Sequence, residues 1–171
     1  KKDLPAQLPD DGQTYAVFSG DFVLAGADSK LFATFASEFD EILSSNGLTR
    51  EKRIVVPGNH DIARSTVEDT VKIAQGALGA LKSEEDFLNQ LKNLNRAFFE
   101  KKFVQYIAFE SNFAHYSCCQ KNLGGQGWEI TKDIGVYCLN TALCSFAGVE
   151  EGGSGKKIDD RGILSIDTRN I

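Results

Sequence analysis

Apolar positions along this chain fall into short continuous runs and longer periodic ones, and the two kinds alternate. Tyr15 to Ser19 (YAVFS) is short and apolar and stops at Gly20-Asp21. A run of that length, closed by a turn signal, predicts a buried strand with a loop at its carboxyl end. Leu31, Phe35, Phe39 and Ile42 then recur at helical spacing, with Asp28 or Ser29 placed to cap the start and Gly47 to end it. Arg53-Ile54-Val55-Val56 returns to a short apolar run, broken by Pro57-Gly58. Strand, helix, strand in this order predicts one right-handed crossover unit in a largely parallel sheet.

Beyond Pro57 the pattern is mainly helical. Ser65 and Glu68 have the spacing of a capping box, and Phe87, Leu91, Leu94 and Phe98 form the stripe of a second helix starting near Ser83. Residues 65–105 are long for a connection and predict a helical insertion that covers or flanks the site. From about Asn112 the pattern turns to β. Phe113 to Cys118 and Gly127 to Ile130 flank a Gly-rich turn (KNLGGQG), and Ile134 to Leu139 reads as a further strand. Residues 1–14 are polar, carry two prolines and read as linker. Residues 148–157 (GVEEGGSGKK) read as a loop; Glu150 and Lys157 stand where a phosphate loop needs glycine and a hydroxyl. The expected class is α/β, with residues 1–171 forming a single incomplete domain.

Composition narrows the function classes. Nineteen basic against twenty-four acidic side chains give a formal charge of −5. That balance disfavours a broad, sequence-independent grip on nucleic acid or anionic membrane, although nucleic acid stays open as a substrate. No apolar run is long enough to span a bilayer. Cys118, Cys119, Cys138 and Cys144 have no zinc-motif spacing and read as reduced thiols, which points to the cytoplasm.

The candidate chemistry lies at the carboxyl ends of the two predicted parallel strands, where open α/β sheets bind ligands. One motif is Ser19-Gly20-Asp21 and the other Pro57-Gly58-Asn59-His60-Asp61. Asp21 offers a carboxylate able to bridge divalent cations, and Asn59 a neutral amide oxygen suited to a hard or borderline metal. His60 can donate to a phosphate oxygen or a leaving alkoxide, and Asp61 can fix its tautomer and orientation. An isolated Gly-Asp pair carries almost no information. A Gly-Asn-His-Asp string arises by chance on the order of once in a thousand chains of this length, so it is the specific signal.

SGDFVLAG followed by RIVVPGNHDIARS resembles the second and third signature blocks of the calcineurin-like metallophosphoesterase superfamily, and GVYCLNTAL with DDRGILSID is similar to later strands and loops of its members. The likeness covers roughly residues 15 to 168, and the layout resembles bacterial members joined to signalling NTPase modules. It implies a sandwich of mixed sheets flanked by helices and a helical insertion. It implies two divalent ions (Mn, Fe, Zn or similar), with Asp21 bridging them and Asn59 a ligand of the second. It further implies that His60 stabilises the transition state or protonates the leaving group, and that Asp61 orients His60. The substrate class is a phosphomonoester or phosphodiester, and the partners are other signalling domains.

The family's opening Asp-x-His block and closing Gly-His-x-His block are not found among the 171 residues. In Asp3-Leu4-Pro5 a proline stands in the histidine position, and His115, inside FAHYS, reads as a structural strand residue. The expectation is a fragment of a two-metal enzyme; the alternative is a degenerate, non-catalytic phosphoesterase-like binding or regulatory module. The coding sequence flanking residues 1 and 171 is expected to carry the Asp-x-His block upstream and the Gly-His-x-His block downstream. Sequencing it decides, because a stop codon directly after Ile171 would favour the module.

Overall fold

A computed structural model describes residues 14–63, 101–114, 120–122 and 125–142. β1 (Ala16–Phe18) and β2 (Arg53–Val55) pair in parallel, with Val17 opposite Ile54. They are joined through α1 (Ser29–Ser45) and a 3-10 turn at Arg50–Lys52. α2 (Val104–Phe113) packs against α1. β3 (Gln120–Asn122), β4 (Gly125–Thr131) and β5 (Ile134–Leu139) form a second, antiparallel sheet in that order. The chain is therefore α/β, with two small sheets and two helices among the described residues, and it contains the expected parallel strand–helix–strand unit. The linker-like start, the helices expected from Ser65 and Ser83, and the 148–157 loop lie outside the described residues.

The ends of α1 follow local chemistry. Asp28 accepts the Lys30 N–H at 2.9 Å as N-cap. At the other end Gly47 takes φ 75°, its N–H bonds Ser44 O, and the Leu48 N–H reaches back to Leu43 O at 2.9 Å. This is a Schellman closure, and the two residues that the motif usually joins by an apolar contact, Leu43 and Leu48, both belong to the buried core. The buried stripe is rotated from the expected one. Phe32 and Leu43 are buried, with Phe35 and Ala36 partly so, while Leu31 and Phe39 stay more than a third exposed. Phe39 instead stacks on Phe35 at 4.5 Å along the helix flank.

α2 corrects the expectation of a strand starting at Phe113. Tyr106, Phe109, Glu110 and Phe113 are its buried residues, which is a regular helical stripe. Glu110 hides that stripe in the sequence, because a buried carboxylate reads as an exposed position. Gln126 Nε2 donates to Glu110 Oε1 at 2.7 Å, which helps make its burial tolerable. The KNLGGQG stretch likewise is not all turn. Asn122 pairs with Gly125 and Lys121 with Gln126, and Gly125 lies so close to Cys138 O and the Tyr137 ring that a side chain would collide with both.

The core is aromatic, and Phe22 stands at its centre. Its ring lies 5.8 Å from Phe18, 5.3 Å from Phe35, 4.9 Å from Phe109 and 6.1 Å from Tyr106. Such pairs add about 0.5–1.5 kcal/mol each beyond the area they bury. Phe22 follows Asp21 directly, so the first candidate loop is anchored in this cluster by its next residue.

Arg53, at the start of β2, is fully buried. Its guanidinium donates to Leu48 O (2.9 Å), Asp40 Oδ1 (2.6 Å), Phe113 O (3.1 Å) and Ser44 Oγ (2.9 Å), and it lies over the Phe113 ring at 4.9 Å. Phe113 O belongs to the last residue of α2, and Ser44 and Leu48 flank the end of α1, so both helix termini place acceptors on one cation. Arg53→Met is expected to cost about 3–5 kcal/mol, because it leaves these acceptors without their buried donor. Asp40→Asn should cost much less, since Asp40 is partly exposed and the remaining acceptors keep the cation satisfied. Urea midpoints of the two variants test this; equal losses would show that the ion pair, not the carbonyl network, is what matters.

Candidate functional site

β1 and β2 end side by side, so the two motif loops leave the same sheet edge. Gly20 and Gly58 bring them into backbone contact. A Cβ on Gly20 would lie 2.3 Å from Gly58 N, and one on Gly58 would lie 2.2 Å from Asp21 Oδ1. Gly20 has φ 99° and Asp21 φ 56°. Successive left-handed residues turn the chain sharply there, a conformation open to glycine and tolerated by aspartate better than by most residues. The turn carries the exposed Asp21 carboxylate towards the second loop, where the His60 N–H donates to Asp21 Oδ1 at 3.0 Å. Asp21 and the Asn59-His60 segment are thus brought together, as their spacing along the strands predicts.

Asp61 stands behind them, fully buried. Its Oδ2 accepts from Asp21 N and Gly58 N, both at 2.8 Å, and its Oδ1 from Val23 N at 3.2 Å. The Gly26 N–H bonds His60 O at 2.9 Å, and a Cβ on Gly26 would sit 2.1 Å from the Asp61 carbonyl carbon. The segment from Gly20 to Gly26 therefore wraps the Gly-Asn-His-Asp turn.

The expected pairing of Asp61 with the His60 ring is corrected by these contacts. The Asp61 carboxylate is taken up by backbone amides, and the ring's Nδ1 lies 3.4 Å from Leu24 O instead. With the proton on Nδ1 the ring donates to that carbonyl, leaving Nε2 as the other hydrogen-bonding nitrogen of the half-buried histidine. Val23, Leu24 and Gly26 are contributors that the sequence reading passed over. Gly26 was the available signal, since a glycine at the end of SGDFVLAG marks a close backbone approach.

Asp21 and Asn59 have the right donor chemistry for a hard or borderline cation. Asp21 Oδ2 and the half-buried Asn59 side chain have no hydrogen-bond partner among the described residues. Two protein ligands are nevertheless too few to fix two ions against competition from water. Among the described residues no three His, Cys, Asp or Glu side chains gather where they could hold a metal ion. The described residues therefore do not by themselves make up a metal site. His115 and Cys118, Cys119 and Cys144 lie outside the described residues, while Cys138 on β5 is a free, half-buried thiol whose pKa burial raises above 9.0.

No protein family, no curated protein and no solved structure matches this chain. Among the described residues no helix is long and apolar enough to cross a membrane.

Burial raises the Asp61 carboxyl pKa above the ordinary 3.8, opposed by the amides of Gly58, Val23 and Asp21 and reinforced by the neighbouring Asp21 charge. The folded protein thus holds this proton more tightly than the unfolded chain. The stability gained from this tighter proton is complete below pH 3.8 and is lost as pH rises through the raised value, while the amide contacts of the carboxylate remain. In chelator-treated protein, the stability advantage of wild type over Asp61→Asn is expected to narrow across that window. Urea midpoints taken from below pH 3.8 to neutrality check it. An advantage that widens with pH would mean that the amides outweigh desolvation.

Proposed function

We propose that the paired loops form one side of a metal-dependent phosphoesterase site of the calcineurin-like kind that the sequence resembles. In this reading the described α/β unit belongs to that family's sandwich, and the remaining ligands come from residues other than those described. The supporting observation is the contact between the His60 N–H and Asp21 Oδ1, which joins Asp21 to the Asn59-His60 segment at one edge of β1 and β2. Asp21 and Asn59 would hold the cations, and divalent ions, when bound, supply Lewis acidity for phosphoryl transfer.

The chain's own residues have definable tasks. Asp21, aimed by its left-handed backbone and by the core residue Phe22, presents one carboxylate oxygen without a hydrogen-bond partner among the described residues. Asn59 is held between Gly58, whose N–H is bound by Asp61, and His60, whose N–H is bound by Asp21. As the imidazolium, His60 donates a hydrogen bond or a proton from Nε2 to a phosphoryl or leaving-group oxygen, with its Nδ1–H held by Leu24 O. The substrate is a phosphomonoester or phosphodiester, and other signalling domains are the expected partners.

The limited ligand count among the described residues gives the second reading, a phosphate-binding module without turnover, its specific support. The 171-residue chain alone is expected to bind less than one equivalent of Mn²⁺ and to hydrolyse a chromogenic phosphodiester negligibly. With its natural flanking sequence the protein should turn the ester over. His60→Ala should then lose about 10²–10⁴-fold in kcat while keeping its metal, as removal of a general acid does. Asp21→Asn should lose metal and activity together. Elemental analysis beside turnover decides between the readings: phosphate binding without hydrolysis in the complete protein selects the module, and two tight ions in the 171-residue chain would mean the ligands are misassigned.

A further inference from the structure

Asp61 is the most deeply buried carboxylate among the described residues, at 0% exposure against 8% for Glu110. No cation pairs with it among those residues. Its partners are peptide N–H groups, and a buried carboxylate without a counter-ion persists only where such donors surround it.

The identity of the donors gives the arrangement its consequence. Oδ2 takes Asp21 N and Gly58 N together, so one oxygen atom ties the first loop to the second. Oδ1 takes Val23 N, on the far side of the core residue Phe22. All three donors belong to peptide units that decide where the Asp21 carboxylate and the Asn59 side chain stand. Asp21 then returns a carboxylate oxygen to His60 N, so each loop supplies a carboxylate to the other's amides.

We propose that Asp61 is a positioning residue: its carboxylate is a built-in anion that fills an amide cradle shared by both loops and fixes Asp21 against the Asn59-His60 segment. The cradle recognises two carboxylate oxygens, not the chain that carries them. Removing the side chain therefore leaves a pocket matched to a free small carboxylate such as formate. The proposal rests on the phosphoesterase reading only for its activity readout; the stability and exchange readouts are independent of it.

The test uses Asp61→Gly in the protein with its natural flanking sequence, with sodium formate compared against sodium chloride at equal ionic strength. The variant is expected to melt roughly 5–10 °C below wild type. Formate should recover at least half of that loss in a saturable way, with chloride inert and wild type indifferent. Turnover should fall about 10–100-fold, as for loss of an outer-sphere partner, and return over the same formate range. A wild type without turnover, combined with a formate-rescued melting temperature, would remove the phosphoesterase reading and leave the cradle standing. Formate acting no better than chloride would overturn the cradle. If Asp61→Gly does not fold, amide hydrogen exchange decides between wild type and Asp61→Asn. The N–H groups of Asp21, Val23 and Gly58 should all be protected in the first, whereas the single amide oxygen of the second can serve only one side of the cradle, so Asp21 and Gly58 should change together and oppositely to Val23. Separate behaviour of Asp21 and Gly58, or full protection of all three in Asp61→Asn, would overturn the proposal.

Discussion

The burial of the Arg53 guanidinium is the constraint on which this arrangement depends. A cation removed from water must be met by acceptors on several sides, and this one finds them at the ends of two helices and on Asp40. β2 can therefore start in only one place relative to α1 and α2. Three residues later the strand ends, and everything after Val55 inherits that placement. The opposite end of the same segment carries the opposite charge, because Asp61 is buried against amides as Arg53 is buried against carbonyls. The segment from Arg53 to Asp61 is thus held at both ends by buried side chains that use backbone atoms as most of their partners.

The strand–helix–strand unit was legible in the sequence because short apolar runs and Gly-ended periodic runs are decided locally. The cap at Asp28 and the left-handed Gly47 are read from single residues, and both are present. The face of α1 was less legible. Two overlapping stripes, Leu31-Phe35-Phe39 and Phe32-Ala36-Leu43, compete within it; Phe32 and Phe35 both reach Phe109 of α2, and only the packed fold shows that Phe32 and Leu43 are the buried pair while Leu31 and Phe39 stay exposed. α2 itself was hidden by Glu110, whose burial is helped by Gln126 on β4 of the antiparallel sheet. No local pattern contains that pairing.

For the site, residue types and their convergence were legible, while one role was not. Motif spacing placed Asp21 and the Asn59-His60 segment at a common edge, and their contact follows from parallel pairing of the strands. The chemistry of Asp61 could not be read the same way. Beside a histidine in sequence, a carboxylate invites the reading of an orienting partner, yet a turn of this tightness directs adjacent side chains apart. Three amides then claim the carboxylate, two of them about forty residues distant along the chain. Backbone donors carry no signature in the sequence, so a site built from them is visible only once folded.

The direct succession of Asp21 and Phe22 has an evolutionary corollary. A candidate ligand and one of the best-connected rings of the core share one peptide unit, so selection cannot act on either in isolation. Drift in the packing of Phe109 or Phe113, on a helix that contributes nothing to the site, displaces the unit that aims the carboxylate. Homologues that change this core should therefore change it in concert, compensating ring for ring. Tolerance to substitution would then be lowest along a line running from the site into the middle of the protein, rather than in a shell around the site.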